Sequence, residues 1–188
     1  VQNRDDFDLL MPKLHQSKLV LQGGSGIDIN EDHNRNRVTG KIKVLMASRA
    51  VEAKGYKEYF EAARFLNSSQ YKNDYEFYFA GGDSLDRPFD NSLNELAEKS
   101  GVNYLGYILD VEQAMKECDV VVLPSYYREG VPRSLIEALY LDKFIITTSS
   151  VGCKEAVIDE WNGLLIEKRN VNSLISALLK LTPGYLDD

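Results

Sequence analysis

The sequence predicts an α/β fold, an open parallel sheet with helices on both faces. Short apolar runs alternate with helix-patterned segments from Lys41 to Leu181, which is the pattern of successive βαβ units. Two of the runs, Lys41-Ile-Lys-Val-Leu-Met-Ala-Ser48 and Asp119-Val-Val-Val-Leu-Pro124, are apolar enough for strands buried on both sides. The 188 residues suit one domain with a proper core.

Composition narrows the function classes. Hydrophobic residues make up 44% and charged residues 27%, as in ordinary globular domains. The net charge of −7 argues against a nucleic-acid partner, which would want a basic face. The two cysteines, Cys118 and Cys153, form no spaced pattern and read as reduced thiols of a cytosolic protein. No leader is recognisable, and no apolar run approaches the roughly 20 residues of a membrane span. Because the first residue is Val1, the chain is expected to be an excised piece of something longer.

At the start, Asn3, Asp5 or Asp6 could cap a helix suggested by Phe7, Leu9, Leu10 and Leu14. Lys18 to Gln22 reads as a strand, and the polar stretch from Asn30 to Gly40 reads as a loop. Gly23-Gly-Ser-Gly-Ile-Asp28 is no dinucleotide fingerprint, since it lacks a suitably spaced third glycine and a following helix pattern. After the first sheet strand come Arg49 and Lys54, with a helix running on to about Asn67. Cations at a strand-to-helix corner oppose the helix dipole unless an anion sits there; two solvated surface cations are the alternative. Tyr75 to Ala80 is the second strand, with a turn at Gly81-Gly82-Asp83. A helix over Asn91–Ser100 stops at Gly101, and Val102–Gly106 is the third strand, followed by Tyr107 and Ile108. Asp110 caps a short helix reaching Cys118. Beyond the central stretch, Lys143–Thr147 and Asn162–Ile166 read as strands and Asn170–Leu181 as a closing helix.

The central stretch is Ser125-Tyr-Tyr-Arg-Glu-Gly-Val-Pro-Arg-Ser-Leu-Ile-Glu137. It leaves a buried strand and enters a helix, with Pro132 suited to the first helical turn and Gly130 permitting close backbone approach to a ligand. A strand, a loop and a helix N-terminus form an anion-binding arrangement in open α/β sheets. Glu129 and Glu137 stand in it with seven residues between them. Glu137 stands among Leu135, Ile136, Ala138 and Leu139 and needs hydrogen-bond partners, which a ligand diol could supply. An exposed helix glutamate and a helix-start glutamate favoured by the dipole are the competing explanation.

The spacing of Glu129 and Glu137, and the wording around them, resembles the Glu, seven residues, Glu motif of glycosyltransferase family 4. The resemblance extends to Gln2-Asn-Arg-Asp-Asp6, Gly24-Ser-Gly-Ile-Asp28, Arg49 with Lys54-Gly55, the Gly82 turn, the Leu105-Gly-Tyr107 corner and Ser149 to Glu155. Two matches are partial: Gly82-Asp83-Ser84 lacks a second glycine, and Val151 replaces a proline. The resemblance implies the C-terminal, Rossmann-like half of a GT-B fold, with residues 41–188 as the nucleotide-sugar-binding domain. Residues 1–40 would be the end of an N-terminal domain and the linker.

By resemblance, Arg49 and Lys54 bind the donor diphosphate, and Gly130, Val131 and Pro132 start the helix facing phosphates and sugar. Glu129 is expected at the sugar hydroxyls and Glu137 at the ribose. The backbone of the corner at Tyr107 and Ile108 would lie against the nucleobase, and the Gly82 turn would belong to the same nucleotide-sugar site. The net acidity is no obstacle, since a nucleotide-sugar needs only a local positive site. No metal and no cofactor is expected, because the two cations and the helix N-terminus would take that role.

The implied function is a retaining, metal-independent hexosyltransferase of polysaccharide biosynthesis. It would use a nucleotide-sugar, a UDP-sugar by preference, and a glycan or polyprenyl-linked acceptor held mostly by a missing N-terminal domain. The expected location is cytoplasmic, at the inner face of the membrane, and the fragment alone would be inactive. A sugar-nucleotide epimerase of the same architecture and a non-catalytic binding domain are the alternatives.

Overall fold

The computed structural model describes residues 1–14, 19–27, 40–82 and 90–187. Lys18, Asp28, the loop over 30–39, Asp83 and Ser84 lie outside the described residues. Six parallel strands form one sheet, in the order β3-β2-β1-β4-β5-β6. They are β1 (Ile42–Ala47), β2 (Tyr75–Ala80), β3 (Val102–Gly106), β4 (Val120–Leu123), β5 (Phe144–Thr148) and β6 (Gly163–Ile166). The helices are α1 (Arg4–Leu10), α2 (Tyr56–Asn67), α3 (Asn91–Ser100), α4 (Val111–Lys116), α5 (Arg133–Tyr140), α6 (Val171–Lys180) and α7 (Pro183–Asp187).

The order explains the layers. From β1 the chain moves outward through α2, β2, α3 and β3, then crosses back by α4 to β4 and moves the other way. Right-handed crossovers place α2 and α3 on one face and α4 and α5 on the other. Helix α6 returns to pack against α2. The central strands are accordingly apolar on both sides: Val44, Leu45, Met46, Val120, Val121 and Val122 are all buried.

Helix α2 shows how the core is built. Tyr59, Phe60, Ala62, Ala63 and Leu66 recur at helical spacing and are buried. Phe60 meets Phe79 of β2 edge-on at 5.2 Å, and the hydroxyl of Tyr59 lies 2.9 Å from the carbonyls of both Val44 and Tyr78. Burying a side chain such as Leu66 contributes about 1.5–3 kcal/mol. Asn3, Asp90, Asp110 and Asn170 cap α1, α3, α4 and α6 through their side chains.

Two local expectations change. Leu19–Gln22 is no sheet strand: Gln22 N donates to Val1 O and the Val1 amino group to Val20 O, which ties the ends of the segment without a ladder. Pro132 is the cap of α5 rather than part of its first turn, with ψ 129° in the extended region. The helix expected to follow Lys54-Gly55 is α2, which ends at Asn67 as read from the sequence. A 3-10 turn over Glu52–Lys54 comes first, and Gly55 at φ 82° turns the chain into α2. Helix α7 carries no signal that stood out in the sequence.

Candidate functional site

Strand order reverses between β1 and β4, so the loops leaving these two strands diverge and open a crevice at the sheet's C-terminal edge. They are then stitched together. Tyr126 N and Tyr127 N both donate to Ala53 O, at 2.9 and 3.2 Å. The fit depends on Gly55, where a Cβ would overlap the Pro124 carbonyl and the backbone is left-handed. A side chain there would push the cation-bearing loop off β4.

Lys54 and Glu129 therefore meet. Lys54 Nζ donates to Glu129 Oε2, with only 14% and 15% of the two side chains exposed. Ser125 Oγ lies 2.9 Å from Glu129 Oε1 and 3.2 Å from Ala53 O. Its single proton favours the shorter, charge-assisted bond. Beneath it, Thr148 Oγ1 donates to Ser125 O, and Ser150 Oγ lies 2.9 Å from the same carbonyl. Nearby Cys153 is buried, and that burial pushes its thiol up to about 11. Burial pushes Cys118 higher, to about 12.

The second group lies on the other side of β1. A cavity of about 250 Å³ is lined by Arg49, Gly82, Tyr107, Ile108, Glu137 and other residues. Arg49 is exposed, and among the described residues its guanidinium has no hydrogen-bond partner. Tyr107 is 38% exposed. Glu137 Oε1 accepts from Arg133 Nε at 2.8 Å, one helical turn back. The hydrogen-bond demand of Glu137 is thus partly met from its own helix.

The predicted residues divide accordingly. Arg49, Gly82, Tyr107, Ile108 and Glu137 share the cavity, whereas Lys54, Glu129, Gly130, Val131 and Pro132 are not among its walls. A larger cavity of about 630 Å³, between the end of α2 and the start of α6, contains none of them. Sequence reasoning missed Ser125, which holds Glu129, and Arg133 and Ser134, which line the cavity. The four-residue spacing of Arg133 and Glu137 was a usable signal; nothing local marked Ser125. Gly130 meets the chain's own first turn rather than open space, since a Cβ there would overlap Gln2 Oε1.

The N-terminal segment closes this side. Asn3 is 1% exposed and donates through Nδ2 to Glu129 O at 3.0 Å. Asp6 pairs with Arg128, while Lys154 Nζ lies 2.8 Å from Asp5 Oδ2. Hydrogen bonds from Asn3 and then Arg128 hold the Asp6 carboxyl below its ordinary value of 3.8. Among the described residues no group of acidic, histidine and cysteine side chains could hold a metal, and no helix is long and apolar enough to cross a membrane.

Known proteins match this frame. The chain is 37% identical over 140 residues to N,N'-diacetylbacillosaminyl-diphospho-undecaprenol alpha-1,3-N-acetylgalactosaminyltransferase of Campylobacter jejuni, covering 73% of this chain and 35% of that protein. It is 30% identical over 123 residues to UDP-Gal:alpha-D-GlcNAc-diphosphoundecaprenol alpha-1,3-galactosyltransferase of Escherichia coli, covering 65% and 32%. The chain spans about a third of the length of these curated relatives. The crystal structure of a mutant S. aureus TarM in complex with fondaparinux, alpha-GlcNAc-glycerol and UDP superposes with a TM-score of 0.81. It has 21% identity, covers 99% of this chain and 37% of that one, and so shares the fold. Residues 28–183 match the family of glycosyl transferases group 1, to which this chain belongs, with the Rossmann-like architecture of one half of a GT-B enzyme.

Proposed function

We propose that this chain is the donor-binding domain of a retaining glycosyltransferase that takes a hexose or N-acetylhexosamine from a UDP-sugar. The observation that carries the reading is the crevice at the β1/β4 reversal, where two cation-bearing and carboxylate-bearing loops are bonded to each other. Arg49 has no partner of its own among the described residues, and Lys54 has two N–H donors left after Glu129. Both suit a diphosphate, and they would offset the charge developing on a departing UDP without a metal. The carboxylate of Glu129, held by Lys54 and Ser125, keeps lone pairs for sugar hydroxyls. Glu137 lines the cavity with Tyr107 and Ile108, where a ribose and base would lie.

The cavity's 250 Å³ falls below the roughly 300–1,000 Å³ of complete small-molecule sites. A second wall from an acceptor domain would complete it. That the two curated relatives are named for diphospho-undecaprenol acceptors supports a polyprenyl-linked or glycan acceptor, in polysaccharide or lipid-linked oligosaccharide synthesis. The reading extends to action at the inner face of the membrane.

Calorimetry with uridine and UDP tests the phosphate site. Lys54→Ala is expected to weaken UDP binding by about 1.5–3 kcal/mol and uridine binding far less. Equal losses for both would remove Lys54 from the diphosphate. The chain alone is expected to bind UDP and to transfer no sugar to a lipid-linked acceptor. Orientation of donor and acceptor contributes about 7–11 kcal/mol to such a step and needs both walls. A sugar nucleotide epimerised at C2 without acceptor would establish an epimerase instead.

A further inference from the structure

Glu129 is held from two directions, and only one belongs to the sheet. Its carboxylate is fixed by Lys54 and Ser125, from the loops after β1 and β4. Its backbone carbonyl takes a hydrogen bond from Asn3, 126 residues away in sequence. We infer that Asn3 is a positioning residue for Glu129, and that Gln2 to Asp6 is a latch setting the loop that carries this carboxylate. The inference rests on the donor-binding reading for its consequence, though not for its geometry.

The chemistry of Asn3 goes beyond capping a helix. Its Oδ1 accepts from Asp6 N at 2.7 Å, which caps α1. Serine or aspartate would do this as well. Its Nδ2 gives one hydrogen to Asp6 Oδ2 at 2.9 Å and the other to Glu129 O at 3.0 Å. Among the good capping side chains, only asparagine accepts through one atom and donates two hydrogens through another. A buried amide with both donors used fixes one peptide against another.

The neighbours act on the same loop. Gln2 Oε1 fills the space where a Cβ on Gly130 would stand, so the peptide after Glu129 cannot move toward α1. A Cβ on Gly152 would overlap Gly130 O, so the loop after β5 is equally close. Asp6 holds the Arg128 side chain, and Asp5 holds Lys154 beside Gly152. Residues 128–130 thus touch both the first turn of the chain and the loop after β5, and Asn3 links α1 to the Glu129 peptide directly. Glu137, bonded to Arg133 on its own helix, has no such link to Asn3.

Asn3→Ser separates the two functions of this side chain, because serine keeps the cap and cannot reach Glu129. In the full chain, amide hydrogen exchange of wild type and Asn3→Ser is compared first, with no ligand. Faster exchange within residues 128–131, with β1, β4 and β5 unchanged, is expected; unchanged exchange there would overturn the latch. Calorimetry then compares UDP with whichever of UDP-glucose, UDP-galactose and UDP-N-acetylgalactosamine wild type binds most tightly. Affinity for that UDP-sugar is expected to fall about fivefold or more while UDP changes less than about twofold. Asn3→Asp, which also keeps the cap but sets a carboxylate against Glu129 O, is expected to give the same split, larger. Equal loss for UDP and UDP-sugar would overturn the positioning role, since a merely structural tie moves both. Failure of wild type to bind UDP would sink the donor reading instead, and the exchange result would still decide the latch.

Discussion

The two glutamates of the central stretch are treated differently by the fold. Glu129 is 15% exposed, bonded to Lys54 and Ser125 by its side chain and to Asn3 by its carbonyl. Glu137 has a side chain 23% exposed and bonds an Arg133 that is itself 69% exposed. One glutamate is fixed by two distant segments as well as by Ser125 of its own loop; the other is held by a neighbour on its own helix. A partner one turn away reorients with the helix, whereas partners from separate loops must all move together. Two residues of the same type in one motif thus differ in rigidity, and in what their loss should do.

The largest effect should come from undermining the rigid side. Gly55→Ala forces a left-handed alanine, about 1–2 kcal/mol, and meets the Pro124 carbonyl as well. A stability loss of about 3 kcal/mol is expected from the denaturant midpoint. A neutral substitution would mean that the two loops are not locked together through this corner.

Double-mutant cycles measure the contrast itself. The Lys54–Glu129 coupling is expected at about 1–3 kcal/mol, because both groups are largely shielded from water. The Arg133–Glu137 coupling is expected at about 0.3–0.5 kcal/mol, the scale of solvated helix pairs. Equal couplings would erase the distinction.

Conservative substitutions sharpen it for function. Glu137→Gln is expected to weaken UDP binding by about 1 kcal/mol, through the ribose. Glu129→Gln is expected to leave UDP binding nearly intact and to reduce transfer by the full-length enzyme. The reverse pattern would exchange the two roles.

The smallest effect concerns acid. With its folded pKa depressed by Asn3 and Arg128, Asp6 contributes stability above its unfolded value of 3.8 and loses it as pH falls through the lower folded value. Asp6→Asn should therefore flatten the acid limb of the stability profile, as pH falls through and below 3.8. An unaltered acid limb would show that the latch carries no linked proton.

The sheet was legible because its signals are local. Val120–Leu123 is apolar on both faces, and Asp110, Asn170 and Gly101 mark helix ends by their own chemistry. Strand and helix alternation from Lys41 to Leu181 was enough to place the candidate residues after strands. Leu19–Gln22 failed for the complementary reason: apolar patterning alone does not supply a ladder partner, and this segment bonds Val1 instead.

The sequence by itself determined the parallel sheet, the caps and which residue types stand at its C-terminal edge, since periodicity and capping act within a few residues. Only the tertiary structure decided that Lys54 pairs with Glu129, that Arg49 lines a different wall with Glu137, and that Asn3 bonds the Glu129 carbonyl. Those contacts join residues as far as 126 positions apart. They follow from the reversal of strand order between β1 and β4 and from the close approach allowed at Gly55 and Gly130, which no local pattern encodes.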